Sequence, residues 1–399
     1  NTRSFELFGV EEDLDPSFAS LADLKEVFRI AEDRYNALLS FNDVYTDYYP
    51  GTPGYDPALR VIRADGTPMP GWPLPAFAEA YVADLYDYAV QVGLNRIRNT
   101  LARYPIKEHH HIDALTPGLF EDYSPASPSN REKNRRGVGL IIEEFRKRGV
   151  NVTTEILTGP FVESGIGWFL DTPRIIPTQL PFPGTEFIPL IEFIYHGKTL
   201  YGLYEDIYWA GPDPLPPETW KAYAFLEPLL LGANSASHVT YLQAEGLEVD
   251  KFYLIDLPWT ALNRRFMQDY KAVGSSRRIT YDADTFVEID YDRNTYTVQV
   301  DGCVIGQNYT TFFPKGDSTF LIYAREAHTV SMRLPVDWSN VTLLKLTEDG
   351  IVAGPVFQIV AGTITFRAEA RTPYKLCRVT HWIRLPVILK LHSEEGLGH

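Results

Sequence analysis

The chain has little cysteine and a deficit of positive charge. Only Cys303 and Cys377 occur in 399 residues. Two thiols make neither a disulfide scaffold nor a cysteine-based zinc cluster. One bridge would require export, and buried thiols are the expectation. The formal net charge of -15 argues against nucleic acid as a partner, since phosphate binding needs a basic surface. It also disfavours an anionic membrane surface. No apolar run reaches spanning length, and the opening "NTRSFELFGV" lacks the basic-then-apolar pattern of a leader. The expectation is a soluble protein without membrane insertion, either cytoplasmic or secreted with its targeting segment outside this chain. No P-loop, no GxGxxG after a strand, no GxSxG and no HExxH is present. Nucleotide, serine-hydrolase and zincin chemistry lose their usual signatures, and no cofactor is expected. Oligomeric state is not encoded in any pattern found.

Aromatic residues, by contrast, are abundant, with 24 Tyr, 22 Phe and 7 Trp. They serve a large core or a cleft for sugar rings equally well. Along the chain, short apolar runs alternate with amphipathic stretches. "FELFGV" reads as a strand and "SLADLKEVFRIAEDRY" as a helix with Leu21, Leu24, Val27, Phe28 and Ala31 on one side. "NALLSFND" (36–43) reads as a strand, and "AFAEAYVADLYDYAVQVG" as a helix stopped at Gly93. "HHHIDAL", "NVTTEIL", "EFIPLIEFIYHG" and "ASHVTYLQ" read as further strands, with "RGVGLIIEEFRKRG" a helix between the first two. Strand–helix alternation of this length points to a parallel sheet and favours a (β/α)8 barrel over an open sheet. From about Gly274 short alternating strands meet turn signals such as Asp301-Gly302 and Ala361-Gly362. The expected fold is a (β/α)8 TIM-type barrel over residues 1–273 followed by a C-terminal all-β sandwich over 274–399, joined near 272–276.

Active sites of such barrels lie at the C-terminal ends of the strands. Asp43 ends one strand candidate, Asp113 lies near the end of the next, Glu155 stands on the one after, and Glu192 and His196 close another. Asp113 and Glu155 fall on consecutive, neighbouring strands. A buried carboxylate needs a partner or a task. Glycoside hydrolysis needs two: a nucleophile or base, and an acid of raised pKa. Capping or pairing with arginine is the structural reading of the same residues. In "HHHIDAL" the two-residue period puts His109 and His111 on the side of Asp113, where His111 can support the carboxylate or a sugar hydroxyl. A metal site using His109 and His111 is the rival reading, and a non-catalytic carbohydrate-binding barrel is another. Asp43 and Asp47 of "FNDVYTDYYPG", Trp168 of "GIGWFLDTP", and His196 and Tyr201 of "YHGKTLYG" are candidate sugar contacts, as is Glu192.

The order of "LLSFNDVYTDYYPGTPGYDPALRVIRADGTPMPGW", "HHHIDAL", "GVNVTTEIL" and "FIPLIEFIYHGKTLYG" resembles the barrel of glycoside hydrolase families 101 and 129, over roughly residues 36 to 205. Characterised members are retaining α-N-acetylgalactosaminidases acting on mucin-type O-glycans. The resemblance implies Asp113 as nucleophile, Glu155 as general acid/base and Asp43 as a polar residue lining the sugar pocket. It also implies a carbohydrate substrate, α-N-acetylgalactosaminide or another α-linked sugar such as an α-galactoside. Family 101 enzymes are much larger, and "HHHIDAL" departs from their usual aromatic lead-in to the nucleophile.

Overall fold

The computed structural model describes residues 6–7, 20–52, 54–73, 79–116, 118–171, 188–202, 225–233 and 248–379. The chain forms two compact units, Asn1–Cys303 and Val304–His399.

The first unit is built on a six-stranded parallel sheet of β1 (Glu6–Leu7), β2 (Asn42–Val44), β5 (His109–Asp113), β6 (Asn151–Ile156), β7 (Trp168–Asp171) and β8 (Leu200–Tyr201), in that spatial order. Two short strands, β3 (Asp47–Tyr48) and β4 (Tyr81–Val82), pair antiparallel beyond the end of β2. Among the described strands, order in space follows order in the chain and never reverses. That is the winding of a barrel, since a doubly wound sheet has a reversal point. The fold is a TIM-type β/α barrel followed by antiparallel β structure.

Local chemistry sets the helices between the strands. Helix α1 (Leu21–Tyr35) opens with a reciprocal capping box between Ser20 and Asp23 and closes at Asn36 in the left-handed region. Helices α2 (Leu85–Tyr88) and α3 (Leu94–Arg103) are fused through a π-helical turn, Ala89–Gly93. Helix α4 (Arg131–Arg146) is capped by Asn130 and buries Val138, Ile141, Ile142 and Phe145. Its chain turns at Gly149, φ +76°. Helix α4 crosses the start of α2 at Gly137, where a Cβ would stand 2.3 Å from the backbone of Leu85 and Tyr86. Gly137→Ala must push two backbones apart. We expect a loss of about 3 kcal/mol, read as a lowered midpoint in urea.

Several elements differ from the sequence expectation. Gly93 does not stop a helix but sits inside one, and Tyr81–Val82 of the same segment form β4. "EFIPLIEFIYHG" contains helix α6 (Leu190–Tyr195), following the short α5 (Gly159–Val162). A continuous apolar run has no period to separate helix from strand. The 36–43 strand is displaced to Asn42–Val44. "ASHVTYLQ" lies outside the described residues. Among the described residues no helix is long and apolar enough to cross a membrane.

The first unit ends in four antiparallel strands, β9 (Asp269–Val273), β10 (Ser276–Asp282), β11 (Thr285–Asp290) and β12 (Thr295–Val300). The expected joint at 272–276 is the tight turn between β9 and β10. In the second unit, Thr319–Ala324, Thr372–Arg378 and Val341–Thr347 run side by side in one layer. Thr329–Arg333, Thr363–Arg367 and Phe357–Val360 form another. Ile322, Leu343, Tyr374 and Leu376 from the first share a core with Val330, Ile364 and Phe366 from the second, the build of a sandwich. Ala361 (φ +48°) and Gly362 (φ +75°) make the hairpin turn that their sequence signalled. Both cysteines are free; Cys303 is exposed rather than buried and Cys377 is half-buried.

Candidate active site

Strand alternation gives the barrel wall two sides with different burial. His110 and Ile112 of β5 are fully buried on the helix side, where His110 stacks on Phe145 of α4 at 4.8 Å. His109, His111 and Asp113 alternate with them on the inner side, and all three are half-buried. Residues paired across a parallel sheet share a side. The register pairs Asn42 with His111, His111 with Thr153, and Thr153 with Trp168. One polar row therefore crosses β2, β5, β6 and β7 on the inner side.

Asp113 and Glu155 stand two residues further along the same two strands as His111 and Thr153. They come one step after the Ile112–Thr154 pair and share the inner side. In-register residues on adjacent strands are about 4.8 Å apart at the backbone. Both are half-buried at the C-terminal ends of their strands. The two strand ends are laced together, because the Thr116 hydroxyl donates to the Ile156 carbonyl at 2.7 Å. Ala114, directly after Asp113, has φ +50°. An L-residue held there costs about 1–2 kcal/mol, and such strain collects at functional sites. The Thr46 hydroxyl holds the turn by donating to the Ala114 carbonyl at 2.9 Å.

Three further expected residues lie on this side of the wall or beside it. His111 places Nδ1 3.0 Å from the Thr153 hydroxyl. Burial pushes its pKa down to about 4, against the opposing pull of Asp113, so the ring is neutral at ordinary pH. Asp47 accepts the Trp72 backbone N–H at 2.8 Å. Burial raises its carboxyl, and the negative charge of Asp113 raises it further. Gly71 permits this contact, since a Cβ there would meet Asp47 Oδ1 at 2.6 Å. The Tyr49 hydroxyl donates to the Trp72 carbonyl at 3.2 Å. The indole is thus carried on a segment fixed from both ends, with 57% of the residue exposed. Trp168 lies on the inner side, in register with Thr153 and Leu200.

Other expected contacts lie elsewhere. Asp43 pairs in register with Ile112, so it faces the helices and not the sugar pocket implied by resemblance. There it is fully buried, ion-paired with Arg96 of α3, and 3.1 Å from His110 Nε2. Arg96 also donates to the Val44 carbonyl at 2.6 Å and lies 4.4 Å from the centre of the Tyr45 ring. Ser40 completes the set, 3.0 Å from His110 Nδ1. Tyr201 is in register with Phe169 on the helix side and donates to the Leu231 carbonyl at 2.8 Å. His196 is buried between the carbonyls of Arg265 and Gly232, and burial lowers its pKa. Glu192 is buried in the first turn of α6. Its charge adds to the burial that holds the Tyr201 hydroxyl protonated.

The sequence reading passed over Asn42, Thr153, Thr116 and Ala114. Alternation counted back from Asp113 and Glu155 would have found the first two once the register was known. Among the described residues no group of three or more His, Cys, Asp or Glu side chains is placed to hold a metal ion.

Such a site is a barrel with two carboxylate-bearing residues at the ends of neighbouring strands, beyond a polar row on the same side. No protein-family model matches the chain, and no curated protein matches it in sequence. Among solved structures, its fold is similar to that of the α-N-acetylgalactosaminidase NagBb from Bifidobacterium bifidum. The ligand-free form aligns with a TM-score of 0.54 at 18% identity, over 72% of this chain and 46% of that one. The GalNAc complex aligns with a TM-score of 0.55 at 17% identity, over 73% and 46%. The chain thus spans less than half the length of that protein, and what it shares with it is the barrel fold.

Proposed function

We propose that this chain is a retaining glycoside hydrolase acting on an α-linked sugar, with an α-N-acetylgalactosaminide or α-galactoside as the favoured substrate. Asp113 attacks the anomeric carbon while Glu155 protonates the departing oxygen. Glu155 then takes a proton from water, which cleaves the glycosyl–enzyme ester. The observation that supports this reading is the register, in which Asp113 and Glu155 directly follow the Ile112–Thr154 pair on neighbouring strands. Adjacent strands, about 4.8 Å apart at the backbone, can bring two carboxyls to the about 5–5.5 Å that a retaining pair needs. The fold likeness to a protein described as an α-N-acetylgalactosaminidase supports the choice of sugar. His111 and Asp47 flank the pair, and Trp72 offers a ring at the rim on which a sugar can stack.

The test is a panel of aryl α- and β-glycosides with the product anomer followed by NMR. Release of an α-anomer from an α-glycoside, before mutarotation, is expected. Inversion, or cleavage of β-glycosides alone, would overturn the reading.

His111 also fixes a pH response. In the unfolded chain an imidazole takes up a proton near 6.5, whereas in the fold it resists until about 4. The unfolded state therefore binds more protons between these values, and stability falls as pH drops through them. The contribution is fully present above about 6.5. His111→Asn should shrink the fall in Tm between pH 7.5 and 4.5. An unchanged fall would show that His111 does not titrate in this way.

A further inference from the structure

Two atoms of the polar row beneath the carboxylates are unsatisfied. Asn42 Oδ1 and Trp168 Nε1 are buried with no hydrogen-bond partner among the described residues. One is an acceptor and the other a donor. An unmet buried polar atom costs about 1–3 kcal/mol. Between them in the same row, His111 and Thr153 satisfy each other at 3.0 Å. The row therefore pairs its two middle members and leaves its two outer ones open, both on the inner side below Asp113 and Glu155. It also carries no charge at ordinary pH, because His111 is neutral and the other three do not ionise.

We propose that Asn42 and Trp168 are specificity-determining residues of the sugar site, an inference that rests on the glycosidase reading above. Asn42 Oδ1 accepts a hydrogen from a hydroxyl or amide N–H of the bound ring, and Trp168 Nε1 donates to a hydroxyl or carbonyl oxygen. The ligand class is a neutral pyranose bearing exocyclic hydroxyl or acetamido groups. Asp47, Asp113 and Glu155 stand over an uncharged floor, so an anionic sugar meets repulsion without a compensating cation in the row.

Trp168→Phe separates recognition from packing. It keeps an aromatic ring and removes the N–H. Without the unmet donor, Tm should stay level or rise. Binding of galactose, glucose, N-acetylgalactosamine and N-acetylglucosamine to the intact protein is measured by titration calorimetry. Their monodeoxy analogues, galacturonate and glucuronate are measured beside them. A neutral sugar should bind the wild type and bind Trp168→Phe about 10-fold more weakly. The analogue lacking the recognised group should bind both proteins equally. Asn42→Leu should show the same pattern for a different group, and Trp168→Phe suffices if that variant does not fold. Affinity for every sugar unchanged in the folded variants, no binding by the wild type, or tighter binding of a uronate than of its neutral parent would overturn the proposal. Hydrolysis that needs Asp113 but ignores Trp168 and Asn42 would sink this inference and leave the glycosidase reading standing. Sugar binding that follows Trp168 in a protein without hydrolytic activity would do the reverse.

Discussion

Asp113→Asn and Glu155→Gln should each lower kcat on the order of 10,000-fold or more while the fold persists. The two losses differ in kind. An amide at position 113 cannot form the glycosyl ester, so no leaving group rescues it. An amide at position 155 cannot donate a proton, but a leaving group that departs as a stable anion does not need one. Glu155→Gln should therefore release a burst of an acidic phenol and then stall, since nothing activates water for the second step. Stopped-flow detection of that phenol separates the roles. Equal, burst-free loss in both variants would remove Glu155 from the acid/base position, and full activity in either would remove that residue altogether. Asp113→Asn should also raise Tm slightly. Asp113 pushes the Asp47 carboxyl upward, and that repulsion disappears with the charge.

The second large effect is on stability. Arg96→Met leaves the Asp43 carboxylate in a fully buried place with its cation gone. Breaking a buried ion pair from one side costs about 3–5 kcal/mol. Asp43→Asn strands the arginine instead, although the amide can still accept one of its N–H groups, and should cost less. Replacing both partners at once, Asp43→Leu with Arg96→Met, should recover part of the loss, because no charge remains to be desolvated. Urea denaturation of the three variants measures this. Since Asp43 faces the helices, any of these variants that folds should keep a KM close to that of the wild type. A large rise in KM with unchanged stability would mean that Asp43 reaches the sugar.

How far the sequence could be read follows from the length and period of each segment. Helices α1 and α4 and strands β5 and β6 carry clear periods and visible stops, so the placement of Asp113 and Glu155 on consecutive strands was legible. "LIEFIY" was not, because an unbroken apolar run suits a buried strand as well as a helix. Asp43 shows a subtler limit. Strand β2 has three residues, and in so short a strand nothing in the pattern says which residue faces in. A one-residue shift changes the side of every side chain. The partner that makes its burial tolerable, Arg96, lies 53 residues away in the chain. Tyr201 failed for the same reason of parity, on a strand of two residues. His111 and Trp168 stand on longer strands, of five and four residues, where alternation has more positions to show itself.

The π-helical turn at Ala89–Gly93 has a consequence for any change in chain length. A wide turn of this kind holds one residue more than an α-helical path needs. Deleting a single residue from it would let the segment from Leu85 to Arg103 close into one regular helix, with better backbone hydrogen bonds and a lower local energy. Because the turn absorbs that residue locally, the same deletion would leave Arg96 in phase with Asp43 and the Val44 carbonyl. The extra residue is thus a reserve of chain length that the guanidinium does not depend on. Deleting the exposed Val90 should yield a protein that is more helical by circular dichroism and no less stable. A large loss of stability would mean that the wide turn itself is needed.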